Sequence, residues 1–181
     1  EQPNETIARI SDFAIKHLKL KKLDAKKRKD LLLYAKDAFQ LLNESHQHLY
    51  GVIPLTEKQI DNYIKQYFGF ISCDFVKVIL DQNNNLVAFG ISMPSLSRAL
   101  QKAKGRLFPF GFIYILRALK KNDRADLCLV AVKPELQKKG VNAILIHSMS
   151  CSYNKLGIKN VESNPELETN RLVQAQWKYF E

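Results

Sequence analysis

Apolar residues recur every three or four positions through much of the chain, and alternate or run together elsewhere. From Thr6 to His17 the positions Ile7, Ile10, Phe13 and Ala14 follow helical spacing. Leu18, Leu20 and Leu23 then bracket lysines in a short strand-like stretch. A long helix is expected from about Ala25 to Ser45, with Leu31, Tyr34, Ala35, Ala38, Phe39 and Leu42 as its buried stripe. Gly51 and Pro54 interrupt the chain. Thr56-Glu-Lys-Gln59 reads as a capping box opening a helix that carries Ile60, Tyr63, Ile64, Tyr67 and Phe68.

Two strands, Phe75–Asp81 and Leu86–Met93, flank Gln82-Asn83-Asn84-Asn85. Asn tolerates the left-handed conformation that a hairpin turn needs. Ser95 opens a short helix to about Lys104, closed by Gly105, and the aromatic-rich run that follows is expected to be helical from Gly111 to Lys121. Asp126–Val132 is apolar after its first residue, which predicts a strand covered on both faces within a parallel or mixed sheet. Val141–Leu156 is helical in spacing and ends at Gly157. Ile158–Ser163 is a further strand, Asn164-Pro165 a turn, and Thr169 caps a last helix holding Leu172, Val173, Gln176, Trp177 and Phe180. Asp126–Ser163 is thus a strand–helix–strand unit, whose strands should lie parallel.

The chain of 181 residues is 46% hydrophobic and 25% charged, enough for one domain with its own core. No stretch approaches the ~20 apolar residues of a membrane span, so no membrane partner is expected. Residues 1–17 read as an N-terminal helix, in the manner of a linker from an upstream region. Residues 18–181 read as the main domain, with a helical insert at 95–124. The end at Glu181 reads as mid-helix, so an adjoining domain of a longer chain is an expected neighbour. Cys73, Cys128 and Cys151 are widely spaced and show no metal pattern, which points to a reduced, cytoplasmic setting. Cys128 reads as a buried spectator and His147 as a core or edge histidine.

The formal charge of +10 suits an anionic partner. Seven basic residues fall in KLKKLDAKKRK, Lys19 to Lys29. No nucleic-acid motif accompanies them, so a solvated strand edge is the stronger reading and nucleic acid the weaker.

The stretch VKPELQKKGVNAIL joins an apolar strand to an apolar helix through a turn with one glycine. Consecutive N–H groups at a helix N-terminus form an anion nest. Gly140 permits the conformation that converges them, and Lys138 and Lys139 add charge. The wider segment LCLVAVKPELQKKGVNAILIHSM resembles the central motif of the GNAT superfamily of acyl-CoA-dependent N-acyltransferases. The matching residues are Val132, Pro134, Gln137 and Gly140. SNPELETNRLVQAQWKYFE is similar to that family's second conserved stretch, and the element order from about Leu18 onward also agrees, apart from the insert.

The resemblance implies an α/β fold with a central mixed sheet, splayed parallel strands and helices on both faces. It implies transfer of an acyl group from acetyl-CoA or another acyl-CoA to an amine on a small molecule or peptide. The pyrophosphate is then expected on Gln137, Lys138, Lys139, Gly140, Val141 and Asn142. The pantetheine arm is expected along Leu129, Val130, Ala131 and Val132, with Asn170 nearby. Two positions depart from the family pattern. Asn142 replaces a small residue, and Trp177 stands where a proton-donating Tyr is usual. Indole has no acidic proton at neutral pH.

Candidate bases for the acceptor amine are Asp126 and Glu162. Strand alternation places Asp126 on one face with Cys128 and Val130. Phe108, Phe110, Phe112, Tyr114 and Arg117 from the insert, with Trp177, are candidates for the acceptor pocket. Two alternatives stand beside the enzyme reading: a non-catalytic module that kept the fold, and an aminoacyl-tRNA-dependent relative that uses the basic charge.

Overall fold

The computed structural model describes residues 4–168 together with Asn170, Val173, Gln174 and Trp177. Most of the last helix expected from the sequence, including Thr169, Leu172, Gln176 and Phe180, lies outside the described residues.

The first helix, α1 (Glu5–His17), starts where Asn4 accepts the N–H groups of Thr6 and Ile7 at 3.0 and 3.4 Å. This side-chain cap satisfies donors that have no intrahelical acceptor. The expected strand from Leu18 to Leu23 is reduced to β1 (Lys21–Lys22), paired with Leu80 and Ile79 at the sheet edge. Exposed lysines on such an edge discourage further strand pairing.

The long helix expected from Ala25 is two helices, α2 (Arg28–Leu32) and α3 (Ala35–His46). The carboxylate of Asp30 accepts the N–H groups of Lys26 and Lys27 at 3.0 and 2.9 Å, which fixes the start of α2 three residues late. The break comes at Tyr34, whose N–H bonds back only three residues to Leu31. Leu31 and Leu41, one on each helix, are both buried in the same apolar cluster. Next comes α4 (Glu57–Tyr67). Its box is formed on both sides: Thr56 Oγ1 accepts from Gln59 N–H at 3.4 Å, and Gln59 Oε1 accepts from Thr56 N–H at 2.9 Å.

Strands β2 (Val76–Leu80) and β3 (Leu86–Pro94) form the expected hairpin. Asp81 organises its turn by accepting the N–H groups of Asn83 and Asn85, each at 2.8 Å, and Asn84 takes the left-handed φ of 66°. The insert follows as α5 (Ser97–Lys102) and α6 (Gly111–Lys120), which pack on one another. Strand β4 (Arg124–Val132), helix α7 (Val141–Leu156) and strand β5 (Asn160–Ser163) complete the described elements.

The sheet has the order β1-β2-β3-β4-β5, antiparallel up to β4 and parallel between β4 and β5. One face carries α1 and α7, where Ala14, Ile79, Ala88, Val132, Val141 and Ile144 pack together. The other carries α2 and α3, over Val76, Val78, Phe89 and Ala131. β4 is covered on both faces as its composition predicts, with Val130 and Val132 packed on the α1–α7 side and Leu129 and Ala131 on the α2–α3 side. Residues 126–130 are only half-buried, because the strand borders a cleft rather than a packed neighbour.

Gly140 and Gly157 bound α7 in left-handed conformations, φ 83° and 73°. At Gly140 an added Cβ would also meet Ile10 Cγ2 at 3.1 Å and Ala14 Cβ at 3.3 Å, so α1 presses on the loop. At Gly157 it would meet nothing within 4 Å. Gly157→Ala should therefore cost about 1 kcal/mol, from backbone strain alone. Gly140→Ala should cost about 2–3 kcal/mol, because overpacking adds to strain. Urea denaturation midpoints test the difference; equal losses would mean α1 does not bear on the loop.

Candidate functional site

The parallel pairing of β4 with β5 is short. Arg124, Ala125, Asp126 and Leu127 lie opposite Asn160, Val161, Glu162 and Ser163, and the ladder then stops. Beyond it the strands part. Asn164 Nδ2 donates to the carbonyl of Cys128 at 2.8 Å across the opening. On its other side β4 carries a bulge: Ile91 pairs with Leu129 and Ser92 with Leu127, leaving Cys128 as an extra residue. Bulges bend a strand and re-aim its side chains.

The bulge reverses the sequence-based assignment of faces. Asp126 shares a face with Leu129 and Ala131, on the side of α3, not with Val130. Asp126 and Glu162 are register partners at the paired foot of the fork, and neither lines the cleft. Glu162 is held by Arg124 Nη1 at 3.2 Å.

The opening is a cleft of about 440 Å3, within the size of small-molecule sites. One wall is the β4 edge from Cys128 to Val132. The facing wall is Ser163 to Leu167, with Asn170, Val173 and Trp177. At one end lie Gln137, Lys138 and Asn142, before and within the first turn of α7. Gln137 Nε2 donates to the Val132 carbonyl at 3.3 Å, tying the loop to the strand it leaves. Lys138 has a left-handed φ of 61° and Gly140 one of 83°. The N–H groups at the start of α7 are directed along its axis toward this loop, and that of Ala143 donates to the Gly140 carbonyl at 3.1 Å. With the positive end of the helix dipole and the ammonium of Lys138 they make an anion-favouring end to the cleft.

Other candidates take different places from those the sequence suggests. The Val141 side chain is buried in the core, leaving only its backbone at the loop. The missing Cβ of Gly140 faces α1, so its service is to helix packing and backbone conformation. Lys139 is exposed and not part of the lining. Phe108, Phe110 and Tyr114 are 81%, 68% and 41% exposed on the insert, away from the lining. Trp177 does line the cleft, and its Nε1 donates to Glu166 Oε1 at 2.7 Å. Cys128 is half-buried and lines it too. Its thiol is pushed above the ordinary range by burial, and further by the Asp126 carboxylate. His147 lies on α7 outside the lining, with Nε2 3.8 Å from Cys151 Sγ.

The C-terminal end of α3 contributes residues that the sequence did not single out. Ser45, His46, Leu49 and Val52 also line the cleft. His46 Nδ1 lies 3.1 Å from the Leu42 carbonyl, which can only accept; with the hydrogen on Nδ1 directed there, Nε2 carries the lone pair. Ser45 Oγ sits 2.8 Å from the same nitrogen. Burial lowers the His46 pKa, His48 lowers it further, and the bond to Leu42 opposes both only in part. His46 therefore presents a neutral imidazole with a basic nitrogen. The signal available in sequence was Ser-His-Gln-His at a helix end, but nothing local says what such an end faces.

No protein-family model matches the sequence. The chain is 26% identical to Protein YghO of Escherichia coli (strain K12) over 137 residues, covering 72% of this chain and 35% of that protein. It thus spans about a third of the length of that relative. Among solved structures it is similar to one assigned as a phosphinothricin N-acetyltransferase, with a TM-score of 0.58 and 13% identity over 88% of this chain and 81% of the other. It is also similar to an aminoglycoside acetyltransferase from an uncultured soil metagenomic sample, with a TM-score of 0.55 and 15% identity over 92% and 90%. The chain is a GNAT-fold protein.

Proposed function

We propose that this chain is an acyl-CoA-dependent N-acyltransferase domain, with acetyl-CoA or a related acyl-CoA as donor and an amine on a small molecule or peptide as acceptor. The observation that carries the reading is the fork. From Leu129 to Val132, β4 has no strand on its β5 side among the described residues. An extended arm with amide groups can pair with such an edge as an added strand would. The anion-favouring loop lies at the end of that edge, one residue past Gln137, so a chain that ends in phosphates fits both features together. The fold's likeness to acetyltransferases supports the same donor.

The donor supplies an activated acyl group as a thioester. The chain's own contribution begins with orientation: backbone N–H groups of β4 hold the arm and polarise the acyl carbonyl. His46 Nε2 takes the proton that the acceptor amine loses as its nitrogen bonds to the acyl carbon and the C–S bond breaks. The departing thiolate takes its proton from solvent, because Trp177 has only an indole N–H and donates it to Glu166. Leu49, Val52 and Trp177 favour an acceptor with an apolar part. Asp126 and Glu162, outside the lining, are not assigned to proton transfer.

Acetyl-CoA should bind in a calorimetric titration, and Lys138→Glu should weaken it at least about tenfold by placing a carboxylate at the phosphate end. Absence of heat at millimolar acetyl-CoA would leave the non-catalytic reading. His46→Gln should leave that affinity unchanged and lower kcat by ~10²–10⁴ in a thiol-release assay over an amine panel. Burial disfavours the charged imidazole, so the neutral base persists to lower pH than for an ordinary histidine. In the native protein kcat/KM should then stay flat through neutrality and fall only on the acid side of the usual histidine range. A fall centred above that range would assign the proton to another group.

Cys151 is exposed, while Cys128 is half-buried with a raised thiol pKa. Iodoacetamide should modify Cys151 first, and acetyl-CoA should slow only Cys128. Equal protection of both, read by mass spectrometry, would place the ligand elsewhere.

A further inference from the structure

The insert between β3 and β4 has a composition unlike the rest of the chain. Residues 95–122 hold seven basic side chains and no acidic one: Arg98, Lys102, Lys104, Arg106, Arg117, Lys120 and Lys121. Among the described residues only Arg98 has an acidic partner, Asp123 at 3.5 Å. The same segment carries much of the exposed apolar surface. Phe108 is 81% exposed, Phe110 68% and Leu116 59%, with Phe112, Ile113 and Tyr114 each at 41%. Phe108 and Phe112 lean together, with ring centroids 6.2 Å apart. On α6, Phe112, Ile113, Leu116, Arg117 and Lys120 follow one another at helical spacing, so the apolar ridge runs directly into the cations.

Large exposed apolar patches on a folded domain mark interaction surfaces. We propose that the α5–α6 insert is a docking surface for an anionic lipid bilayer, with Phe108, Phe110 and Leu116 entering the headgroup boundary and Lys120, Lys121, Arg117 and Arg106 resting on acidic headgroups. Charge complementarity selects this occupant. A protein face would have to place carboxylates against each cation while also offering an apolar groove. A bilayer offers mobile negative charge at every position and apolar depth beneath it. Aromatic side chains suit that boundary, since their rings rest at headgroup level. The length criterion that rules out a spanning helix does not bear on a helix lying in the surface plane; no described helix is long and apolar enough to cross a membrane. Docking here is independent of what occupies the cleft.

The test is co-sedimentation of the chain with sucrose-loaded vesicles of phosphatidylcholine alone or mixed with phosphatidylglycerol. Binding is expected with the mixed vesicles only, and should weaken as salt is raised. Phe108→Ser, alone and with Phe110→Ser, should lower the bound fraction; the double variant should lose about tenfold. Lys120→Glu with Lys121→Glu should lose a similar amount. Lys26→Glu with Lys27→Glu removes as much charge from α2 and its cap, and should change binding less than about twofold. Unchanged melting temperatures establish that the variants fold. The proposal is overturned if the chain stays in the supernatant with mixed vesicles. It is equally overturned if the Lys26 and Lys27 variant loses as much as the insert variants, or if the phenylalanine variants bind as the native chain does. Capture of an acidic protein by the insert without lipid binding would also overturn it.

Discussion

The rest of the structure is organised around the short ladder between β4 and β5. Four register pairs hold the strands, and after Leu127 and Ser163 they separate. Each ladder bond forgone gives up about 0.5–1.5 kcal/mol, and a buried edge left bare would cost more. The separation is sustained by features on both strands. The bulge at Cys128 bends β4 away, and Asn164 satisfies the Cys128 carbonyl where the next ladder bond would have been. What remains is a polar strand edge facing a cleft, which water or an extended ligand can satisfy.

The loop into α7 depends on contacts remote from the cleft. Gly140 turns in the left-handed region with α1 packed against it, and Leu136 packs with the core beneath. α1 is therefore part of the support of the anion-favouring end, although nothing in its sequence suggests a role beyond covering the sheet. Similarly, His46 is held by a carbonyl one turn back on α3 and owes its depressed basicity to burial. The chemistry rests on the ends of elements, and the sheet fixes where those ends meet.

Local rules made much of this readable. Thr56 with Gln59, the asparagine turn after Asp81, and the apolar spacing of Val141–Leu156 each specify their element within a few residues. The likeness of the Val132–Gly140 segment to an acyl-CoA-binding motif pointed to the edge of the sheet that borders the cleft. What stayed hidden arises between distant segments. An extra residue at Cys128 has no composition of its own, so Asp126 was placed on the wrong face. The apolar run of β4 announced its cover on both faces but not the cleft along its edge, because a cleft wall and a core wall use the same residues. The long apolar period through α2 and α3 concealed the break at Tyr34. The aromatics of the insert resembled pocket lining, and the structure leaves them in solvent.

The most direct test of the fork as a ligand site is amide hydrogen exchange with and without acetyl-CoA, resolved by peptide. Slowed exchange confined to residues 128–142, with residues 100–121 unaffected, is the predicted result. Unchanged exchange over 128–142 at a concentration that saturates binding would contradict the account.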